Sequence, residues 1–120
     1  MRDRFDLSVE VRAVPWRDLR AATRGESSST VRARVVAARL RQKERDGMLN
    51  ARLEGAALRT TCALDAAGER MLAMAMGRQL LSARGTTRVL RVARTIADLA
   101  GHDAIISTDV AEALQFRMSV

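Results

Sequence analysis

Tyrosine is absent from the 120 residues, and Phe5, Trp16 and Phe116 are the only aromatic side chains. A surface that stacks the bases of single-stranded nucleic acid sets several aromatic rings among its cations, so that class of binding is not expected. A single cysteine, Cys62, excludes an intramolecular disulfide framework, and with a single histidine, His102, it is too little for a zinc site. Cys62 is expected to pack as a small hydrophobe and His102 to sit exposed in a loop. A reduced, cytoplasmic setting follows. No apolar run approaches the length of a membrane span, and the charged start "MRDRFD" is not a signal peptide. Catalytic patterns are missing too: there is no G-x-x-x-x-G-K-[ST] phosphate loop, no nucleophile elbow and no convincing Ser/His/Asp or Cys/His arrangement. No carboxylate pair sits in an apolar context. By itself the chain is not expected to be a working enzyme.

What is abundant is arginine. Lys and Arg total 21 against 14 Asp and Glu, a net charge of +7, and Lys43 is the sole lysine. The planar guanidinium fork suits phosphates and carboxylates. A coding bias toward Arg, Ala and Leu would produce the same composition, so composition alone assigns no partner. Hydrophobic residues make up 48%, enough to fill one modest core.

Composition shifts near residue 25. In "RFDLSVEVRAVPW", Phe5, Leu7, Val9 and Val11 alternate with polar residues, the period of a half-buried strand, which Pro15 closes. No later segment looks like a partner strand, so this piece reads as an orphan cut from a larger sheet. The hydroxyl-rich "RGESSST" then offers N-caps for a helix starting near Thr30. That helix, "TVRARVVAARLRQKERDG", shows Val31, Val35, Ala38 and Leu40 as its apolar side and a C-cap at Gly47. A turn around Asn50 leads to a short helix from about Gly55 to Cys62. Asp65 can cap the next helix, "AAGERMLAMAMGRQL", with Leu72, Met76, Gln79 and Leu80 at helical spacings and its methionines, led by Met71 and Met74, read as core filling. Ser107 is expected to cap the last helix, whose Val110, Leu114 and Phe116 return to the core. The fold class is all-α, a small bundle of four or five helices preceded by an extended segment or orphan strand.

The helix over "LSARGTTRVLRVARTIADLAG" carries the sharpest pattern. At about 100° per residue, Val89, Val92, Ala93, Ile96, Leu99 and Ala100 share one side, while Arg84, Arg88 and Arg91 lie within roughly 60° of one another opposite, with Arg94 at the edge. Those arginines face water, an anion or another chain. Arg84, preceded by the cap Ser82 and followed by Gly85, stands where a helix start receives phosphate.

These residues resemble a known family. "LSARGTTRVLRVARTIADLAG" followed by "VAEALQFR" is similar to the C-terminal region of magnesium-chelatase-like AAA+ ATPases, in the competence-associated branch that includes bacterial branch-migration helicases. "RDRFDLSVEV" resembles that family's "DRxDLxxEV" segment, "GESSSTVRARVVAARLRQ" its linker and first lid helix, and "LNARL" its Asn-Ala-x-Leu element. The likeness covers essentially the whole chain. It departs at "GTT", where an aromatic residue is more usual. The resemblance implies an AAA+ lid over residues 27–120 and the end of an AAA+ core over residues 1–26, the latter expected to be poorly ordered. It implies that Arg4 of "DRFD" is an arginine finger reaching a neighbouring subunit's nucleotide, and that Arg84 is the sensor-two arginine. Arg88 and Arg91 would face the phosphates or a neighbouring subunit, or, for Arg91, carboxylates inside the bundle. The Walker motifs and the metal-binding acid would lie outside these residues. Cofactors are therefore expected only in the parent protein, as ATP and Mg²⁺. Partners would be its own core and the neighbours in a ring, expected to be hexameric, with DNA as substrate and no membrane. The alternatives are a lid serving porphyrin metallation in a magnesium chelatase, and an autonomous basic DNA-binding bundle.

Overall fold

The computed structural model describes residues 7–9 and 25–118, and within them the chain is all-helical. Five α-helices follow in order: α1 Ser28–Asp46, α2 Gly55–Thr61, α3 Ala66–Gly77, α4 Ala83–Ala100 and α5 Ser107–Met118, with a single 3₁₀ turn at Asn50–Arg52 between α1 and α2. Most of the expected strand, with Arg4, lies outside the described residues. Of that segment, Leu7 and Val9 are exposed, and the Ser8 N–H donates to the Phe116 carbonyl at 2.8 Å, at the end of α5.

Local signals set most of the helix ends. Ser27, Asp65 and Ser82 each accept from a backbone N–H in the first turn of α1, α3 and α4. Gly47 and Gly101 end α1 and α4 at φ of 72° and 81°, where a side chain would be strained. The start of α5 differs from expectation. Ser107 already lies in the helix, and the Asp109 carboxylate closes the turn by accepting from the Ile106 N–H at 3.0 Å. The same carboxylate oxygen lies 3.2 Å from His102 Nδ1, so His102 is half-buried against α5 rather than exposed.

The core forms around the α4–α5 pair. Val89, Ala93 and Ala97 of α4 and Val110 and Ala113 of α5 are at most 1% exposed. Leu53, Leu58, Cys62, Leu72, Ala75, Leu81 and Ile105 complete it. Small residues at 93, 97 and 113 let the helices approach closely, and Leu64 and Ile105 pair in an isolated parallel bridge.

Two helices depart from their apolar pattern. On α1 only Ala38 and Gln42 are buried, while Val31, Val35, Val36 and Leu40 are 40–56% exposed. Val31 and Val35 edge a shallow cleft with Ile96 and Leu99, because α1 rests on α4 through one narrow line. Helix α3 stops at Gly77, short of the expected Gln79 and Leu80. There the Gln79 N–H bonds to the Met76 carbonyl and the Leu80 N–H to the Ala75 carbonyl, a Schellman turn. Met71 packs on the core, but Met74 and Met76 are 57% and 44% exposed, so the methionines are only partly core filling.

Gln79 occupies the turn's left-handed position at φ 58°, a region costly to any residue with a Cβ. Gln79→Gly should therefore raise stability by about 0.5–1 kcal/mol, seen as a higher Tm in thermal melts. Burial pushes the Cys62 thiol up to about 11 against an ordinary 9.0, with nearby arginines opposing weakly. A proton held more tightly in the folded state gives stability that is complete below pH 9 and lost as pH rises through about 11. At pH 8 Cys62 should react with a disulfide reagent about a hundredfold more slowly in the native protein than in urea.

Candidate functional site at the start of α4

Helix α4 presents its arginines to three different surroundings. At its start the Ser82 Oγ accepts from the Gly85 N–H at 3.0 Å, and the Ser82 carbonyl receives both the N–H of Thr86 at 2.9 Å and its hydroxyl at 3.0 Å. This pins the first turn. Arg84 projects from it exposed, and Arg88, one turn on, is half-buried. Gly85 is itself buried. A Cβ there would crowd Ser82 Oγ at 3.3 Å and touch Arg117 Nη2 at 3.4 Å, so the last turn of α5 sets a further guanidinium beside the start of α4. Arg84, Arg88 and Arg117 thus gather at one end of the bundle, beside N–H groups that carry the positive end of the helix dipole.

Farther along α4 the arginines turn to the protein. Arg91 Nε donates to the Leu53 carbonyl at 2.9 Å, which gives it a backbone partner inside the bundle. Arg94, expected at the edge of the stripe, is 2% exposed. It donates to the carbonyls of His102 and Asp103 at 2.9 and 3.1 Å and pairs with Asp98 at 3.1 Å.

Asp98 is the centre of a buried polar cluster. Its carboxylate, fully buried, accepts from Arg45 Nη1 at 2.8 Å and Asn50 Nδ2 at 2.8 Å besides Arg94. Asn50, 2% exposed, accepts from Arg45 Nη2 at 3.0 Å and also donates to the Thr95 hydroxyl at 3.0 Å, while its backbone N–H meets Gln42 Oε1 at 2.9 Å. Burial opposes the charge on Arg45, but hydrogen bonds to Asp98 and Asp46 outweigh it and hold the guanidinium above its ordinary pKa. The cluster ties α1 and the 3₁₀ turn to the middle of α4, and so sets the angle at which the α4 start is presented.

Sequence reasoning did not find Arg117 or the role of Asp98. Asp98 follows Arg94 by four residues on one helix, a pairing spacing, and stands beside the fully buried Ala97. Arg117 closes the "VAEALQFR" string, but only the antiparallel return of α5 brings it to Gly85. Among the described residues no group of three His, Cys, Asp or Glu side chains could hold a metal ion, and no helix is long and apolar enough to cross a membrane.

A capped, arginine-led helix packed against its antiparallel return, and braced by a buried Asn–Asp–Arg cluster, defines a small helical bundle with a basic end. Residues 25–117 match the family described as magnesium chelatase, subunit ChlI C-terminal, and the chain belongs to that family. It is 41% identical over 119 residues to the competence protein ComM of Haemophilus influenzae, covering 98% of this chain and 23% of that protein. It is 44% identical over 116 residues to YifB of Salmonella typhimurium and 41% identical over 116 residues to YifB of Escherichia coli, each covering 96% of this chain and 23% of the relative. The chain therefore spans about a quarter of the length of the curated relatives it matches.

Removing the Asp98 carboxylate leaves Arg94 buried without its ionic partner. Asp98→Ala should cost about 3–5 kcal/mol by denaturant unfolding. Arg34→Ala, which breaks the exposed 2.7 Å pair with Glu26, should cost about 0.5 kcal/mol or less.

Proposed function

We propose that this chain is the C-terminal lid of a magnesium-chelatase-like AAA+ ATPase, and that Arg84 is its sensor-two arginine. The observation that carries the reading is the exposure of Arg84 on the Ser82-capped first turn of α4. The other arginines of that helix are more buried, and two of them are turned to the bundle's own carbonyls.

Phosphoryl transfer spreads negative charge over the γ-phosphate oxygens, and a pre-positioned guanidinium stabilises that charge without reorganising. The described residues fit the phosphate end of a nucleotide: Arg84 extends from a helix start, and Arg88 and Arg117 stand close behind it. They do not fit Mg²⁺, which would be held by the core together with the rest of the nucleotide. In this reading residues 27–120 are the lid and residues 1–26 the end of the core. Arg4 acts in trans as the arginine finger of a neighbouring subunit in a hexameric ring. Because the Asp98 cluster fixes α4 within the lid, contact between Arg84 and a phosphate moves the lid as one body, and hydrolysis releases it. The likeness to a competence protein supports a cytoplasmic motor that remodels DNA by branch migration. The family description supports the second reading, a lid serving metal insertion into a porphyrin.

In a full-length protein carrying this lid, Arg84→Ala should lower steady-state ATP turnover at least tenfold while the ring still assembles. Arg59→Ala, an exposed change on α2, should leave turnover unchanged. Near-normal turnover in the Arg84 variant would sink the assignment.

A further inference from the structure

The cations of α1 form two rows with different fates. At about 100° per residue, Arg34, Arg41 and Arg45 fall on one row, and each meets a carboxylate of this chain: Glu26 at 2.7 Å, Asp103 at 3.7 Å and Asp98 at 2.8 Å. Arg32, Arg39 and Lys43 fall on the other, within roughly 40° of one another and about 160–240° round the helix from the first. All three are exposed, and among the described residues none has a hydrogen-bond or ion-pair partner. Asp46, the one carboxylate of α1 in register with this row, is turned to Arg45 and to the Thr61 hydroxyl, and its side chain is 9% exposed.

We propose that the Arg32–Arg39–Lys43 face of α1 binds the phosphate backbone of duplex DNA. The row is straight and rigidly mounted, since α1 is capped at both ends, buries Ala38 and Gln42, and is tied to Asn50 through Gln42 and to Asp98 of α4 through Arg45. The row spans about 16 Å along the helix axis, a length over which duplex DNA presents roughly ten negative charges at about one per 1.7 Å. Val36 and Leu40, 54% and 56% exposed, lie beside the cations and can rest on sugar edges. No aromatic ring lies on α1 to stack unpaired bases, which favours a duplex over a single strand. The inference deepens the DNA-motor reading and rests on it in taking DNA rather than another polyanion. It assigns the contact to a different helix from the one that carries Arg84.

The test uses the 120-residue chain and a fluorescein-labelled 30-base-pair duplex, with anisotropy measured across NaCl concentrations. The Arg32→Ala/Arg39→Ala/Lys43→Ala variant should bind at least tenfold more weakly at about 50 mM salt, with a log–log salt slope shallower by about 2–3. A charge-matched control, Arg52→Ala/Arg59→Ala/Arg70→Ala, removes three exposed arginines from other elements and should stay within threefold of the parent chain. Circular dichroism melts establish that both variants fold. The proposal is overturned by an equal loss in both variants, which would mean net charge alone. It is overturned equally by absent duplex binding, by single strands binding as tightly as the duplex, or by labelled polyglutamate of matched charge doing so. No nucleotide is present in the assay, so its failure is distinct from failure of the Arg84 assignment.

Discussion

The fold depends on one buried carboxylate. Asp98 sits in the middle of the bundle, where an isolated charge would be prohibitively costly, and it is retained because two guanidinium groups and an amide converge on it. Arg45 comes from α1, Asn50 from the 3₁₀ turn and Arg94 from α4 itself. Each is usable only if its element arrives in one register. An apolar core of alanines, valines and leucines tolerates sliding and repacking, whereas a buried polar cluster with directional partners admits one arrangement. Asn50 shows how completely that arrangement is specified: its amide oxygen, amide nitrogen and backbone N–H are all engaged, on four different residues.

That constraint links interior to surface. Arg91 and Arg94 are drawn inward by carbonyls at Leu53, His102 and Asp103. What remains outside on α4 is Arg84, at a start held by Ser82 and cleared of side-chain bulk at Gly85. A helix that is amphipathic in projection therefore divides its basic side by depth as well as by angle, with solvent-facing charge at its N-terminal end and structural charge toward its C-terminal end. The same division runs around α1, where carboxylates of the chain neutralise one row of cations and leave the other open.

Much of this was legible in the residues. Caps at Asp65 and Ser82, the terminating Gly47, the short helix from Gly55 and the burial of Cys62 follow from local rules, and the family likeness rested on strings that span the chain. The failures share a cause. Val31, Val35 and Leu40 have a helical period, but a helix buries its apolar side only as far as a neighbour covers it, and α4 covers a single line through Ala38 and Gln42. A flat projection of α4 cannot show that the loop after Gly101 folds back over Arg94. Gln79 keeps a helical spacing with Leu72 and Met76, and nothing in its side chain announces the left-handed turn it adopts.

The sequence by itself determined which segments are helices, where most of them start, and that arginine concentrates on one side of the helix at 83–100, because capping, periodicity and propensity act over a few residues. Only the tertiary structure decided which of those arginines are structural and which are available. That choice depends on carbonyls and carboxylates contributed from distant positions: Leu53 for Arg91, Asp103 for Arg94, and the antiparallel return of α5 that sets Arg117 beside Gly85. The polar identity of a side chain states that it needs a partner, and the fold alone states whether the partner is inside the chain or beyond it.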